Sequence, residues 1–184
     1  MSRFVILSGP SCVGKGPLYK ALRRFYPDLA GRLQQIVLYN SRDPRPGEQE
    51  GVDYYFRPRA EIEALAKQPG FTSANVRGDL QAIEIAGIEA ILEQNKDAFF
   101  EGNPFIPAKL GELKELENIP TLKIFLAPLC REEIEFFKDP QQRTDLEKLL
   151  PDIMRRKLLR RVKRQKINPS LKDLENIEQS VASA

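Results

Sequence analysis

The run that most limits what this chain can fold into is its beginning. Phe4-Val5-Ile6-Leu7-Ser8 leads into Gly9-Pro10-Ser11-Cys12-Val13-Gly14-Lys15-Gly16-Pro17, and Leu18-Tyr19-Lys20-Ala21-Leu22 follows. A buried strand entering a glycine-bracketed turn, with a lysine where a helix begins, is the arrangement of a phosphate-binding loop. Gly9 and Gly14 let successive backbone N–H groups face one concavity, and the Lys15 ammonium reaches toward the outer phosphates of a polyphosphate. Gly9, Ser11, Cys12, Val13, Gly14, Lys15 and Gly16 are therefore the candidate phosphate-binding residues. The competing structural reading, a glycine-rich turn with a solvated lysine, does not require this spacing.

One position departs from the motif. Gly16 stands where a Ser or Thr hydroxyl normally ligates magnesium. A bound magnesium would lack that ligand, and no protein metal ligand is assigned from the sequence.

Composition narrows the chemistry further. With 184 residues, 41% hydrophobic and 30% charged, the chain is expected to be one domain with a sizeable core. No apolar run approaches the ~20 residues of a membrane helix, and the start goes straight into a strand, so a cytoplasmic location without membrane contact is expected. The absence of histidine excludes histidine-based acid–base and triad chemistry. Cys12 and Cys130 make neither a disulfide framework nor a metal cluster. A net charge of +3 does not by itself indicate nucleic acid.

Periodicity predicts a helix over 18–26 with Leu18, Leu22 and Phe25 inward, stopped by Pro27, then a strand over 35–39. The segment 40–51 holds two prolines and two glycines and reads as a loop with fixed bends, left by a short strand over 52–56. Arg42 and Arg45 flank Pro44, which lowers the entropy lost in aiming two guanidinium groups at one anion, and Tyr54 offers a hydroxyl on a rigid ring. Solvated loop charge is the alternative for the arginines. Further helices are predicted over 59–67, 83–96, 106–116, 131–137 and 171–181, with strand pieces over 71–82 split by Gly78 and strands over 98–100 and 121–126. This alternation argues for an α/β fold with a central parallel sheet covered on both faces.

The Gly-Pro-Ser-x-x-Gly-Lys start, followed by Ser41-Arg42-Asp43-Pro44-Arg45-Pro46-Gly47-Glu48 and Gly51-Val52-Asp53-Tyr54-Tyr55-Phe56, resembles the guanylate kinase family. The resemblance implies a P-loop NTPase-type three-layer sandwich, treated as one domain over 1–184. Its core would be 1–39, 83–137 and 167–184, with an acceptor-binding insertion over 40–82 and a lid with a basic helix over 138–166. It implies ATP and magnesium as cofactors and a small nucleotide as substrate. Arg42, Arg45 and Tyr54 would hold the acceptor phosphate. Glu101 and Asn103 align with two Asp positions of the family, which keeps Glu101 in the acceptor-binding set. In P-loop kinases a strand end beside the loop presents an acid toward metal and acceptor. Arg143 and Arg156 would be the lid arginines delivered to the transferring group, with Arg155 as an alternative. Leu38, Ser73 and Gln81-Ala82-Ile83 occupy places where the family carries base- or phosphate-contacting residues, so the guanine-reading set is largely missing.

From Arg155 to Lys166 the chain carries eight basic residues interrupted mainly by Leu158, Leu159 and Val162. Three readings stand side by side: a solvated helix face, a surface for nucleic acid or an acidic partner, and a membrane-surface helix. For function, ATP-dependent phosphoryl transfer to a nucleoside monophosphate comes first. A binding module with impaired turnover and a phosphosugar kinase on the same fold are the alternatives.

Overall fold

The computed structural model describes residues 2–111, 116–139, 141, 145–165 and 168–182. The chain divides into two compact units, Met1–Gly9 with Lys15–Phe125, and Pro10–Gly14 with Leu126–Ala184. Arg143 and Lys166, singled out by the sequence, lie outside the described residues, as do 112–115 of the helix predicted over 106–116.

The larger unit is built on two sheets. In the first, β2 (Leu33–Gln35), β7 (Asp97–Gly102), β1 (Phe4–Ser8) and β8 (Thr121–Phe125) lie in the order β2-β7-β1-β8, all parallel. Both faces of β1 are apolar and buried, as a central parallel strand requires. Phe4, Ile6, Ala98 and Phe100 point to one face, where they join Leu38, Ile83, Ile88 and Ile106 in the main core; Val5, Leu7 and Phe99 point to the other. The Tyr19 ring of α1 (Lys15–Phe25) packs on Phe99 with centroids 4.8 Å apart. That contact sets the inward face of α1, so Leu18 and Phe25, predicted to be buried, are exposed at 45% and 66%. Pro27 does more than stop this helix: its fixed φ starts a second one, α2 (Pro27–Arg32).

The predicted strand 35–39 is two strands. β2 ends at Gln35, and β3 (Leu38–Asn40) belongs to the second sheet, of order β4-β3-β6-β5 with β4 (Tyr54–Phe56), β6 (Asp79–Glu84) and β5 (Phe71–Val76). Ile36 bridges them, its N–H bonded to the Phe99 carbonyl and its side chain in the core. Local pattern could not separate them, because Ile36-Val37-Leu38 is an unbroken apolar run. β3 pairs parallel with β4 and antiparallel with β6. α3 (Arg59–Leu65) closes this sheet through Ile62 against Leu80 and Ala82. β6 runs through Glu84, so α4 (Ile85–Glu93) begins two residues later than predicted; the fully buried Ile83 is a strand residue. α5 (Phe105–Leu110) follows β7. Coverage of the parallel sheet stops at β8, whose five residues are all exposed, with Leu122 at 43% and Phe125 at 59%.

In the second unit α6 (Arg131–Lys138) begins in a capping box made by Cys130 and Glu133. α7 (Leu146–Gln165) runs as one helix with Pro151 inside it, and packs on α8 (Leu171–Ala182) with Leu158 and Ile177 buried. Ser170 and Asp173 cap α8 reciprocally.

The end of β7 is packed without slack. A Cβ added at Gly102 would lie 2.7 Å from Cζ of Phe100, a ring that is 1% exposed and has no room to withdraw. Gly102→Ala is expected to destabilise the protein by about 1–3 kcal/mol, read as a lower urea midpoint with an unchanged m-value.

Candidate functional site

The loop after β1 has the backbone that the motif demands. Gly9, Cys12 and Gly14 have φ of 151°, 63° and 110°, and the turn ends where α1 starts at Lys15. Cys12 is the non-glycine member of this set and holds a left-handed conformation at a steric cost that glycine would avoid. The Lys15 Nζ reaches back and donates to the Gly9 carbonyl at 2.7 Å. Ser11 and Val13 are half-buried within the turn.

Beside Lys15 stands Gly16, and the space its missing side chain leaves faces one acid. A Cβ built on Gly16 would lie 3.9 Å from Oε1 of Glu101. Glu101 reaches this place because β7 pairs with β1 in parallel, with Glu101 opposite Leu7 and Gly102 opposite Ser8. Ligand sites of open parallel sheets form at this carboxyl end of the strands. Burial pushes the Glu101 carboxyl above the usual range, and the nearby Lys15 ammonium pulls it part of the way back. Among the described residues there is no cluster of three or more acids, Cys or His able to hold a metal without a substrate.

The second candidate cluster lies in the loop between β3 and β4. Arg42 is pinned from four directions. Its Nη1 and Nη2 donate to Glu48 Oε2 and Oε1 at 2.7 and 2.6 Å, and Nη1 also donates to the Asp43 carbonyl at 2.8 Å. Its guanidinium lies over the rings of Tyr54 and Phe56, 5.1 and 5.5 Å from their centroids. Glu48 also accepts from the Arg45 backbone N–H at 2.8 Å, which ties the Pro44-Arg45-Pro46 bend to the same carboxylate. Burial works against both charges, and the fork between them outweighs it: Glu48 is held below the ordinary carboxylate range and Arg42 is raised. Burial raises the Tyr54 hydroxyl, with Arg42 opposing. Arg45 itself is exposed.

Two members of this cluster escaped the sequence reading. Glu48 organises the two arginines, and its signal was present as an acid inside the same Pro-Gly-Glu turn. Asn40 is fully buried at the end of β3, where its Oδ1 accepts from the Arg42 N–H at 3.3 Å; its Nδ2 has no hydrogen-bond partner among the described residues. Gln81, buried on β6, accepts from Asn103 Nδ2 at 3.0 Å, while Asn103 Oδ1 caps the first turn of α5 through the N–H groups of Phe105 and Ile106. The two positions noted as departures are thus bonded to each other as a neutral amide pair. In the second unit Arg155 is engaged by Asp152 and by Glu178, at 3.1 and 2.8 Å, whereas Arg156 is exposed.

The family model for guanylate kinase matches residues 1–158. The guanylate kinase of Synechococcus sp. (strain JA-3-3Ab) is 35% identical over 136 residues, 72% of this chain and 58% of that protein. The guanylate kinase of Bacillus anthracis is 36% identical over 133 residues, 71% of this chain and 61% of that protein. The matched part thus spans about three-fifths of the length of these relatives. The crystal structure of guanylate kinase from Anaplasma phagocytophilum shares the fold, with a TM-score of 0.53, 22% identity, and 74% of this chain and 65% of that one covered.

A carboxylate whose folded-state pKa is depressed contributes stability above its unfolded pKa and loses it as pH falls through the folded value. Wild type is therefore expected to lose stability more steeply than Glu48→Gln as pH falls below the ordinary Glu range, measured by urea unfolding from neutral pH to about pH 3. At neutral pH Glu48→Gln, which leaves a half-buried guanidinium without its counter-charge, is expected to cost about 1–3 kcal/mol.

Proposed function

The chain belongs to the guanylate kinase family, and we propose that it transfers the outer phosphoryl group of ATP to a nucleoside monophosphate, GMP or a close relative. The observation that carries this reading is the loop itself, with left-handed backbone at Gly9, Cys12 and Gly14 and the Lys15 ammonium bonded to the Gly9 carbonyl. Amides of Gly9, Ser11, Cys12, Val13, Gly14 and Gly16, together with Lys15, bind the donor phosphates in this reading. Arg42, Arg45 and Tyr54 bind the acceptor phosphate. A guanidinium has five N–H groups, so the fork to Glu48 leaves Arg42 donor capacity while removing its rotamer freedom. The resemblance to guanylate kinases makes Arg156, and Arg143 outside the described residues, the candidates to supply charge to the transferring group.

Magnesium fits the residues present in an altered form. The carboxylate of Glu101 faces the place where a hydroxyl at position 16 would project, and oxygen ligands suit this cation. Glu101 would hold the ion together with phosphate oxygens and water, besides facing the acceptor. A bound magnesium would neutralise charge on the outer phosphates. The chain's own part is positioning and exclusion of alternatives: Lys15 fixes the donor end, and the aromatic ledge under Arg42 fixes the acceptor end. A cytoplasmic site of action belongs to the same proposal; among the described residues no helix is long and apolar enough to cross a membrane.

A second reading rests on the Gln81–Asn103 pair and Gly16. Where neutral amides bond each other and the metal hydroxyl is missing, a nucleotide-binding module with impaired turnover, or a kinase of a phosphosugar, becomes the alternative.

ADP release from magnesium-ATP with a panel of nucleoside monophosphates and phosphosugars separates these readings. A nucleoside monophosphate is expected to be the best acceptor, and Lys15→Ala to lower turnover by roughly two to three decades. ATP binding without ADP from any acceptor overturns the transferase reading. Gly16→Ser, for which the space exists, is expected to lower the magnesium concentration that half-saturates binding of a non-hydrolysable ATP analogue by about tenfold, and Glu101→Gln to raise it similarly. Unchanged magnesium dependence in both variants removes Glu101 from the metal assignment.

A further inference from the structure

We propose that the C-terminal half of α7 binds the phosphate backbone of double-stranded DNA. Between Arg155 and Gln165 the chain has seven basic residues, no acid and no aromatic. Arg155 is occupied by Asp152 and Glu178. The other six, Arg156, Lys157, Arg160, Arg161, Lys163 and Arg164, are all exposed, and among the described residues none of them forms an ion pair. At 3.6 residues per turn they fall on one arc of about 160°, and at 1.5 Å per residue they occupy about 12 Å of helix axis. That is about one positive charge per 2 Å, close to the one negative charge per ~1.7 Å that a DNA duplex presents.

The alternatives fit this surface less well. Binding to an anionic membrane needs an apolar face free to enter the lipid. Here that face is already used: Leu158 is 1% exposed, Leu159 and Val162 are partly buried, and α8 packs against this helix. An acidic protein partner would be anchored by apolar or aromatic groups within the patch, and the six cations enclose none. Single strands are held largely by stacking on aromatic rings, which are equally absent. A cationic fan this wide suits a helix lying in a groove with phosphates on both sides. The major groove of B-form DNA, ~12 Å across, admits a helix, whereas that of A-form RNA is too deep and narrow. The contacts argued for these cations are to phosphates, which set register and orientation on the duplex and carry no base sequence.

Fluorescence anisotropy of the full chain with a labelled DNA duplex of about two helical turns tests this over about 50–200 mM salt. Binding is expected to weaken with salt at a log–log slope of about −4 to −5, since each neutralised phosphate contributes about −0.9. Arg160→Gln, Arg161→Gln and Arg164→Gln together are expected to make the slope shallower by about 3 and binding near 0.1 M salt roughly 100-fold weaker; Lys at the same three positions restores both. Arg156 is left intact because the kinase reading also uses it. Should the triple variant lose helix by circular dichroism, Arg161→Gln alone is expected to reduce the slope by about 1. The proposal is overturned by absence of duplex binding at the lowest salt or by a slope insensitive to these substitutions. It is equally overturned if polyglutamate, anionic vesicles, single strands or an RNA duplex bind as tightly as DNA.

Discussion

The parallel pairing of β1 with β7 is the constraint from which the candidate chemistry of the larger unit follows. Register places Ser8 opposite Gly102 and Leu7 opposite Glu101, so both strands finish at the same level. The loop that follows β1 therefore starts where β7 delivers its carboxylate, and Lys15 and Gly16 come back to meet Glu101 at the head of α1. A slip of one residue would exchange the faces of Phe99 and Phe100, which belong to different core clusters, and send Glu101 to the other side of the sheet. The buried rings thus keep the register, and the register places the charge.

The cluster around Arg42 is arranged on a different principle. Two charges at most one-fifth exposed are held together by a fork, two rings lie beneath it, and a proline-bounded bend hangs from the same carboxylate. Glu48 both lowers the cost of burying Arg42 and fixes where its remaining donors point. Such an arrangement loses little entropy on meeting an anion, because the ordering has been done on folding. The Gln81–Asn103 bond shows the opposite case: two amides satisfy each other, and one of them also caps α5, so both are tied to the scaffold.

Much of this was legible beforehand because it is local. The glycine-bracketed loop, the proline-stiffened arginine pair and the strands over 4–8, 98–100 and 121–126 show in spacing and composition alone. What stayed hidden depended on partners far along the chain. Ile36-Val37-Leu38 carries no mark of the point at which the backbone passes from one sheet to the other. Leu18 and Phe25 look like core residues until Tyr19 meets Phe99 and turns α1 by part of a revolution. β8 shows in the sequence as a strand, but its exposure along its whole length follows from its place at an edge of the parallel sheet.

By itself, the amino-acid sequence determined the backbone freedom of the loop, the positions of its lysine and its missing hydroxyl, and the charge carried by 155–166, since these depend on residue type and near neighbours. Tertiary structure alone decided that Glu101 faces Gly16, that Glu48 occupies Arg42, and that Gln81 bonds Asn103. Glu101 is 85 positions from Gly16 and Gln81 is 22 from Asn103; even Glu48, six from Arg42, reaches it only through the closed proline turn. Distances of that kind are set by strand register and by how a turn closes, and neither is written in any single stretch of the chain.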